Sequence, residues 1–430
     1  MNQNRTVLFK DEHLREAFEG KRRIVIDGAM GSMLQAAGIE LADSAPEYLN
    51  YESPQTIVDI HKGYVDAGAE IITTNTFGAN ARKLGADVDI AKLVETGIEC
   101  ACQANAPYVA CDIGPIGELM EPMGELEFDE AYELFVEQAR AGIAAGCDLF
   151  IIETMADLLE AKAAVLACKD AGDVPIIATM TFAENGRTLM GTTPRIAALA
   201  LDALGVDALG INCSVGPDKL IAFIEEMREY TNLPLVAQPN AGLPRLVDGK
   251  TVYDIDVESF ISSDAKILAA GASFLGSCCG TTPAYTSAIA NMVKHEPLSV
   301  QEYAVHRFAT SAREAVDLDM LEFGSDSYCI NDTSNEQEDI SDAIFDAADE
   351  DAELLVLKID CMEQDTIAAL VQEIQSLSAL PLCFESANEG LLEEVLRTYC
   401  GVAAVLCSDD TPSSSFAKTV DYYGGMLIHR

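Results

Sequence analysis

Eight short apolar runs alternate with helical patterns along the first 295 residues, and this repetition restricts the fold more than any other feature. The runs are Arg23–Gly28, Glu70–Phe77, Tyr108–Gly114, Leu149–Met155, Pro175–Phe182, Ala208–Ser214, Leu233–Asn240 and Ser273–Gly280. Each run is continuously apolar, which is typical of parallel strands that are buried on both faces. Eight such units predict an α/β fold, a (β/α)₈ TIM barrel over residues 1–295, because similar spacing favours closure of the sheet. A doubly wound open sheet is the alternative.

The pattern changes near residue 296. Residues 296–324 contain no strand-like run and are expected to form an ordered connector. Residues 325–430 return to alternation, and we predict a second, smaller and incomplete α/β domain there, too short for a complete barrel. Its candidate strands are Glu353–Asp360, Leu380–Ser386, Val402–Ser408 and a short run at Met426–His429. The acidic stretch Asn335–Glu353 is interpreted as a solvated helical face.

The net charge is −44, from 27 Lys and Arg against 71 Asp and Glu. Such a charge argues against nucleic acid or an anionic membrane as a partner. No long uncharged apolar stretch predicts a membrane span, and the amino-terminal residues lack the apolar core of a signal peptide. The 13 cysteines are scattered and several lie in apolar runs, so a reducing, cytoplasmic location is expected.

Three cysteines lie where predicted strands end, which is where barrels carry their chemistry. Cys213 ends one run, and Cys278 and Cys279 end another. Three thiolates leave the fourth position of a tetrahedral Zn²⁺ open, so the pattern predicts a reactive zinc that binds and deprotonates a thiol substrate. Both adjacent cysteines reach one metal only if the backbone leaves strand geometry, which Gly280 permits. Three buried cysteines without metal, or a redox pair at Cys278 and Cys279, are the alternatives.

Polar residues at the ends of other strands are candidates for substrate binding. Asp27 and Glu153 each end a strand, and either carboxylate accepts hydrogen bonds from an ammonium group. Asp27 is equally compatible with a turn or a helix cap. Asn75 is placed to supply hydrogen bonds. Asn240 is interpreted as a weak oxygen ligand when no substrate is bound, or as a residue that satisfies a turn.

The chain resembles the homocysteine S-methyltransferases through motifs that occur in the same order. These are DGAMGSMLQ, the long segment Asn50–Asn80, DIGP, ET, GINCSVGP, PNAGLP and GSCCGTTP. Within about residues 10–295 it is most similar to the homocysteine-binding barrel of cobalamin-dependent methionine synthases. The resemblance implies zinc on Cys213, Cys278 and Cys279, with the homocysteine sulfur as fourth ligand. It also implies that Asp27 and Glu153 hold the amino-acid end of homocysteine.

Residues 325–430 resemble the start of the folate-binding barrel that follows in those enzymes, with INDTS (Ile330–Ser334) similar to its opening motif. The chain departs from that pattern at Val356 and Lys358, where the family tends to place Asp and Asn. It departs again at Glu385 and at Cys407–Ser408. We therefore expect a vestigial pterin-binding-like unit that does not bind folate and serves as a cap, a dimer surface or a dock.

These observations predict a zinc-dependent methyltransferase that methylates homocysteine to methionine. The expected donor is methylcobalamin supplied in trans by a separate corrinoid protein, because no DxHxxG cobalamin motif occurs in the 430 residues. A small methyl donor is the close alternative. A non-catalytic subunit that binds zinc and homocysteine and scaffolds a corrinoid partner is also compatible with the motifs, as is a zinc-free thiol redox protein. A homo-oligomer is compatible with the sequence.

Overall fold

Eight parallel strands form a barrel in the computed structural model of the chain. The structure describes residues 5–39, 45–247, 250–295, 307–325, 327–330, 340–360, 362, 364–407 and 412–428. The barrel strands are β1 (Ile24–Val25), β2 (Ile71–Thr73), β3 (Tyr108–Ile113), β4 (Leu149–Met155), β5 (Ile176–Met180), β6 (Ala208–Cys213), β7 (Leu235–Pro239) and β8 (Ala272–Leu275). Their order is β1-β8-β7-β6-β5-β4-β3-β2, and a parallel bridge between Ile26 and Ile71 joins the two ends. The predicted TIM barrel is confirmed, and every strand except β4 is shorter than its apolar run.

Twelve helices accompany the strands among the described residues, and most of them form the outer layer of the barrel. They are α1 (Glu12–Phe18), α2 (Met30–Ala36), α3 (Leu49–Glu52), α4 (Pro54–Ala67), α5 (Ala81–Leu84), α6 (Ile90–Gln103), α7 (Phe128–Ala145), α8 (Leu158–Ala171), α9 (Pro194–Ala203), α10 (Pro217–Arg228), α11 (Val257–Ala269) and α12 (Pro283–His295). A short 3₁₀ helix spans Pro46–Tyr48. Among the described residues, no helix has both the length and the apolar character needed to span a membrane.

Local sequence sets the helix boundaries. Asp89, Asp157 and Asp256 each accept a backbone N–H at the start of a helix. Such a cap satisfies one of the donors that a helix leaves unpaired at its amino end. Gly68 and Gly146 end α4 and α7 with φ of 105° and 86°, a conformation that glycine adopts without a steric penalty.

The amino-terminal end of the barrel is closed by α1. Phe18 packs edge-to-face on Phe274 of β8 with ring centroids 5.0 Å apart, and Leu14 is fully buried in the same cluster. Burial of aromatic and aliphatic side chains is the main stabilising contribution at this end. The opposite end, where the strands finish, is therefore the open one.

A second sheet of five parallel strands follows, in sequential order. Its strands are β9 (Ser327–Ile330), β10 (Leu354–Lys358), β11 (Leu382–Ser386), β12 (Ala404–Cys407) and β13 (Met426–Ile428). Its helices are α13 (Ile340–Asp349), α14 (Gln364–Leu377), α15 (Glu389–Thr398) and α16 (Ser414–Tyr422). The domain boundary at residue 325 stays a prediction, and residues 331–334 of the INDTS motif, Ser408 and His429 lie outside the described residues.

The connector contains a β-hairpin, which the sequence did not predict. Phe308–Thr310 pairs with Ala315–Asp317, and Thr310 also bridges to Val402 beside the second sheet. The three-residue strands are too short to show a pattern, and their pairing depends on neighbours distant in the chain. A second short hairpin, Arg245–Val247 with Lys250–Val252, follows β7 and was also not predicted. Residues 296–306 of the connector lie outside the described residues.

The second unit packs on helix α8 of the barrel. The side-chain nitrogen of Lys162 is buried and donates hydrogen bonds to the carbonyl oxygens of Leu396 and Tyr399, at 2.5 and 3.0 Å. Further along the same helix, Lys169 donates to the carbonyl of Tyr422 at 2.9 Å. These carbonyls lie at the ends of α15 and α16, where a helix leaves carbonyl acceptors unpaired.

Candidate metal centre and acceptor cavity

A cavity of about 510 Å³ opens at the carboxyl ends of the barrel strands. Six of the seven predicted site residues line it: Asp27, Asn75, Glu153, Cys213, Cys278 and Cys279. They reach the cavity from two sides: Asp27 follows β1 and Glu153 lies in β4, whereas Cys213 ends β6 and the adjacent cysteines follow β8. The cavity therefore has a soft, sulfur-lined wall and an acidic wall.

Cys213 is the last residue of β6 and has a left-handed backbone, with φ of 58°, followed by Ser214 with φ of 48°. Such a conformation costs a non-glycine residue about 1–2 kcal/mol. Hydrogen bonds fix it: Ser214 donates its backbone N–H to the Thr181 hydroxyl at 3.1 Å and accepts the backbone N–H of Phe182 at 2.8 Å. The turn thus holds the thiol at a site where strain is compensated by its surroundings.

Cys278 and Cys279 lie beyond the end of β8 in a turn with its own hydrogen bonds. The Cys278 N–H donates to the carbonyl of Pro239 at 2.9 Å, and the Cys279 carbonyl accepts the N–H of Ala241 at 2.9 Å. Gly280 follows with φ of 82°, and a Cβ atom there would lie 2.2 Å from the ring of Tyr253. The departure from strand geometry at Gly280 agrees with the sequence interpretation.

The three thiols are close enough to share one metal ion. Their Sγ atoms all lie within 4.8 Å of one another, and the Cys278 and Cys279 sulfurs are 3.9 Å apart. Zinc–sulfur bonds of about 2.3 Å in a tetrahedron place sulfur atoms about 3.8 Å apart. Three soft thiolate donors also suit zinc better than a hard cation such as Mg²⁺. The residues present fit a zinc ion with one position left for another ligand.

Hydrogen bonds among the thiols make Cys279 the most acidic of the three. The pKa of Cys279 is lowered because the thiols of Cys213 and Cys278 and the hydroxyl of Tyr253 all donate to its sulfur. The pKa of Cys278 is raised by its contacts with the other two thiols and by burial. These hydrogen bonds therefore favour the thiolate form of Cys279, and a thiolate is the form of cysteine that binds a metal.

Asp27 is held by Thr73 of the neighbouring strand. One carboxylate oxygen accepts the Thr73 backbone N–H and the other accepts the Thr73 hydroxyl, both at 2.9 Å. Asp27 is therefore not a helix cap, since α2 is preceded by Ala29 without a side-chain cap. Burial raises the pKa of Asp27 despite these hydrogen bonds. A nearby cation would offset that cost.

Glu153 lies near the end of β4 and also faces the cavity. Burial, and then the nearby Cys279 thiolate, raise the pKa of Glu153 to about 7. The next residue, Thr154, has φ of 61° and is fixed by Asn212, whose side-chain oxygen accepts the Thr154 N–H at 2.7 Å. The strained backbone holds Glu153 at the exit of the strand.

The two predicted asparagines are placed differently. Asn75 lines the cavity, but its side-chain amide donates to the Pro46 carbonyl and to Asn50 Oδ1, at 2.8 and 3.0 Å. Both of its N–H groups are therefore used within the protein and are not available to a ligand. Asn240 lies behind the thiols, where a hydrogen bond from its side chain lowers the pKa of Cys213. Its Oδ1 is buried and has no hydrogen-bond partner among the described residues. That free oxygen is compatible with the predicted weak ligand.

Sequence reasoning missed Tyr253 and Gln238, and it placed Asp112 among the polar residues at strand ends without giving it a role. Tyr253 belongs to no recognisable motif. It lies just beyond the hairpin after β7, and its hydroxyl hydrogen-bonds the sulfur of Cys279. Asp112 and Gln238 line the cavity from β3 and β7, and each has a buried side-chain oxygen without a partner among the described residues. Asp112 ends an apolar run just as Asp27 does. Its position in DIGP was therefore a usable signal.

Comparison with known proteins agrees with this geometry. Residues 24–293 match the family described as homocysteine S-methyltransferase. The methionine synthase of Mycobacterium tuberculosis (strain ATCC 25618 / H37Rv) is 32% identical over an alignment that covers 93% of this chain and 37% of that protein. The chain thus spans little more than a third of this curated relative. The matched region includes both the barrel and the second unit.

Solved structures support the same relationship for the barrel. The oxidized form of the homocysteine methyltransferase MmuM from Escherichia coli is 26% identical, with a TM-score of 0.56, and the match covers 66% of this chain and all of that one. A metallated form of the same enzyme has a TM-score of 0.56 at 24% identity over 65% of this chain. The barrel alone corresponds to the whole of the bacterial enzyme.

Proposed function

Because the chain belongs to the homocysteine S-methyltransferase family, we propose that it is a zinc-dependent methyltransferase that uses the thiol of homocysteine as methyl acceptor. The observation that carries the proposal is the convergence of three thiols, within 4.8 Å of one another, in a cavity that also contains buried carboxylates. The product would be methionine.

Cys213, Cys278 and Cys279 would hold the zinc ion, which when bound supplies a Lewis acid that lowers the pKa of the homocysteine thiol. Asp27 and Glu153 accept hydrogen bonds from the α-ammonium group and orient the amino acid. Tyr253 donates to Cys279 and holds one sulfur of the set. Apolar side chains line part of the cavity and would limit water there, which would keep a sulfur anion reactive toward a methyl group.

For the donor we propose methylcobalamin carried by a corrinoid domain or protein outside these 430 residues. The similarity to a methionine synthase along 93% of the chain supports this choice. A small methyl donor is the second candidate, and it is supported by the correspondence between this barrel and a complete single-barrel homocysteine methyltransferase. Both candidates use the same acceptor site.

We propose that the second unit has lost folate binding and serves as a cap, a dimer surface or a dock for a partner. Lys358 and Glu385 are register partners at the ends of adjacent strands, with Nζ and Oε2 4.0 Å apart. Val356 is buried in the same strand, and its apolar side chain has no donor or acceptor for a pterin. These side chains occupy positions where the resemblance leads one to expect Asp and Asn.

A donor screen tests the proposed function. The zinc-loaded protein is incubated with homocysteine and free methylcobalamin, a methylated corrinoid protein, or a small sulfonium or ammonium donor, and methionine is quantified by mass spectrometry. We expect methionine with a corrinoid donor and a markedly lower rate for Cys213→Ala. Zinc and homocysteine binding without turnover with any donor would support a non-catalytic subunit instead.

A further inference from the structure

Asp112 is a buried carboxylate in the acceptor cavity whose side chain has no role in the proposed metal centre. It lies on β3, between the strands that carry Asp27 and Glu153. Its backbone is fully bonded, since its N–H donates to the Thr74 hydroxyl at 3.1 Å and its carbonyl accepts the Gln138 amide at 2.9 Å. Its side-chain Oδ1, by contrast, has no hydrogen-bond partner among the described residues.

Only 6% of Asp112 is exposed, so the unpaired oxygen is costly unless a ligand reaches it. A buried acceptor without a donor loses its hydration and gains nothing in return. Gln238 lines the opposite side of the cavity. Its Oε1 is also buried and has no hydrogen-bond partner among the described residues. A ligand that donates hydrogen bonds would satisfy both oxygens.

The electrostatic surroundings favour a cation as that ligand. Burial and the charges of Glu153, Asp27 and Glu47 raise the pKa of Asp112, and the charge of Lys83 offsets them only in part. Lys83 also lines the cavity, but its ammonium group lies over the Phe77 ring, 5.1 Å from the centroid. A ligand that brings a positive charge and several N–H donors would satisfy the acidic wall.

We infer that Asp112 joins Asp27 and Glu153 as a third carboxylate that binds the α-ammonium group of the acceptor and selects amino-acid thiols over thiols without an amine. The inference rests on the proposed function and extends it to acceptor selectivity. An ammonium group carries three N–H donors, one for each carboxylate. Because Asp112 is remote from the sulfur-lined wall in sequence and strand position, its loss leaves the three thiols in place.

The test compares homocysteine with 4-mercaptobutanoate, which has the same thiol and carboxylate but no amine. Calorimetric titration of the zinc-loaded protein gives both dissociation constants for the wild type and for Asp112→Asn. We expect Asp112→Asn to weaken homocysteine binding about 10- to 100-fold, the loss of a charged hydrogen bond, and to leave binding of the amine-free thiol unchanged. In turnover, KM for homocysteine should rise with little change in kcat.

Asp264→Asn is the matched control, because Asp264 on α11 is also fully buried with both carboxylate oxygens unpartnered among the described residues, but it does not line the cavity. It should leave both dissociation constants unchanged. Equal losses for both thiols in Asp112→Asn, or no loss for either, would overturn the inference. Failure of the wild type to methylate homocysteine would overturn the proposed function alone, since the binding comparison does not require turnover.

Discussion

The sulfur atoms of Cys278 and Cys279 lie 3.9 Å apart and both line the acceptor cavity, although the two residues are adjacent in the chain. Adjacent residues of a regular strand point to opposite faces of the sheet. The pair meets on one face because β8 ends at Leu275 and the backbone turns at Gly280. The metal centre therefore depends on a turn as much as on its ligands.

Gly280→Ala is expected to disrupt the metal centre. The residue has φ of 82°, and its new Cβ would lie 2.2 Å from a ring carbon of Tyr253, which is the side chain that donates to Cys279. Backbone strain and overpacking together should cost about 2–5 kcal/mol. The measurement is the free energy of unfolding together with the zinc content of the purified variant.

Gly20→Ala separates the two effects in that experiment. Gly20 has φ of 70° but faces open space, so its substitution introduces backbone strain without a steric contact. It should cost only about 1–2 kcal/mol and leave the zinc content unchanged. Equal behaviour of the two variants would show that the Tyr253 ring does not limit the turn.

Cys213→Ala should reduce the zinc content to well below one ion per chain. The remaining two sulfurs are adjacent residues in one turn, and a site with two protein ligands holds zinc far more weakly than one with three. Metal analysis after dialysis gives the stoichiometry. Cys102→Ala, at an exposed position on α6, is the control and should retain zinc fully. Retention of one zinc by Cys213→Ala would contradict the proposed ligand set.

The barrel could be predicted because its signal is repeated eight times. Each buried parallel strand is continuously apolar, and several are followed by a helix whose start is marked by a capping residue such as Asp157 or Thr193. The strand ends were less certain, since β1 occupies only two residues of the six-residue run. Apolar character persists beyond the last ladder hydrogen bond, so the runs overestimate strand length.

Features that depend on contacts distant in sequence were not predictable. Tyr253 reaches Cys279 from beside a hairpin whose strands have three residues each. The hairpin in the connector depends on the pairing of Thr310 with Val402. In the sequence, Asp112 is indistinguishable from other polar residues at strand ends. Its buried side-chain oxygen without a hydrogen-bond partner is visible only in the structure. Single-residue roles of this kind need the three-dimensional neighbourhood.

The interface between the barrel and the second unit should respond to pH through Lys162. Burial lowers the pKa of Lys162 to about 7, below its ordinary value of 10.5. Between these values the unfolded chain binds a proton that the folded protein lacks, so stability attributable to this residue rises with pH from about 7 and levels off near 10. Lys162→Met should flatten that slope by up to about 1.4 kcal/mol per pH unit.

Chemical denaturation at a series of pH values measures that slope. Lys62→Met, at an exposed position on α4, is the control and should leave the pH dependence unchanged. A slope in Lys162→Met equal to that of the wild type would show that Lys162 remains charged at the interface. Its hydrogen bonds to Leu396 and Tyr399 would then be those of a buried ammonium group.

The second unit is expected not to bind methyltetrahydrofolate. A pterin ring needs polar groups at the strand ends that match its donors and acceptors, and here the apolar Val356 is buried while Lys358 faces Glu385 across the register. Calorimetric titration should give no saturable heat at millimolar ligand, with a folate-binding methionine synthase as the positive control. Micromolar binding that is lost in Lys358→Ala would show that this charged pair recognises the pterin. The second unit would then bind a methyl donor directly, and a corrinoid carrier would have to receive the methyl group from this chain.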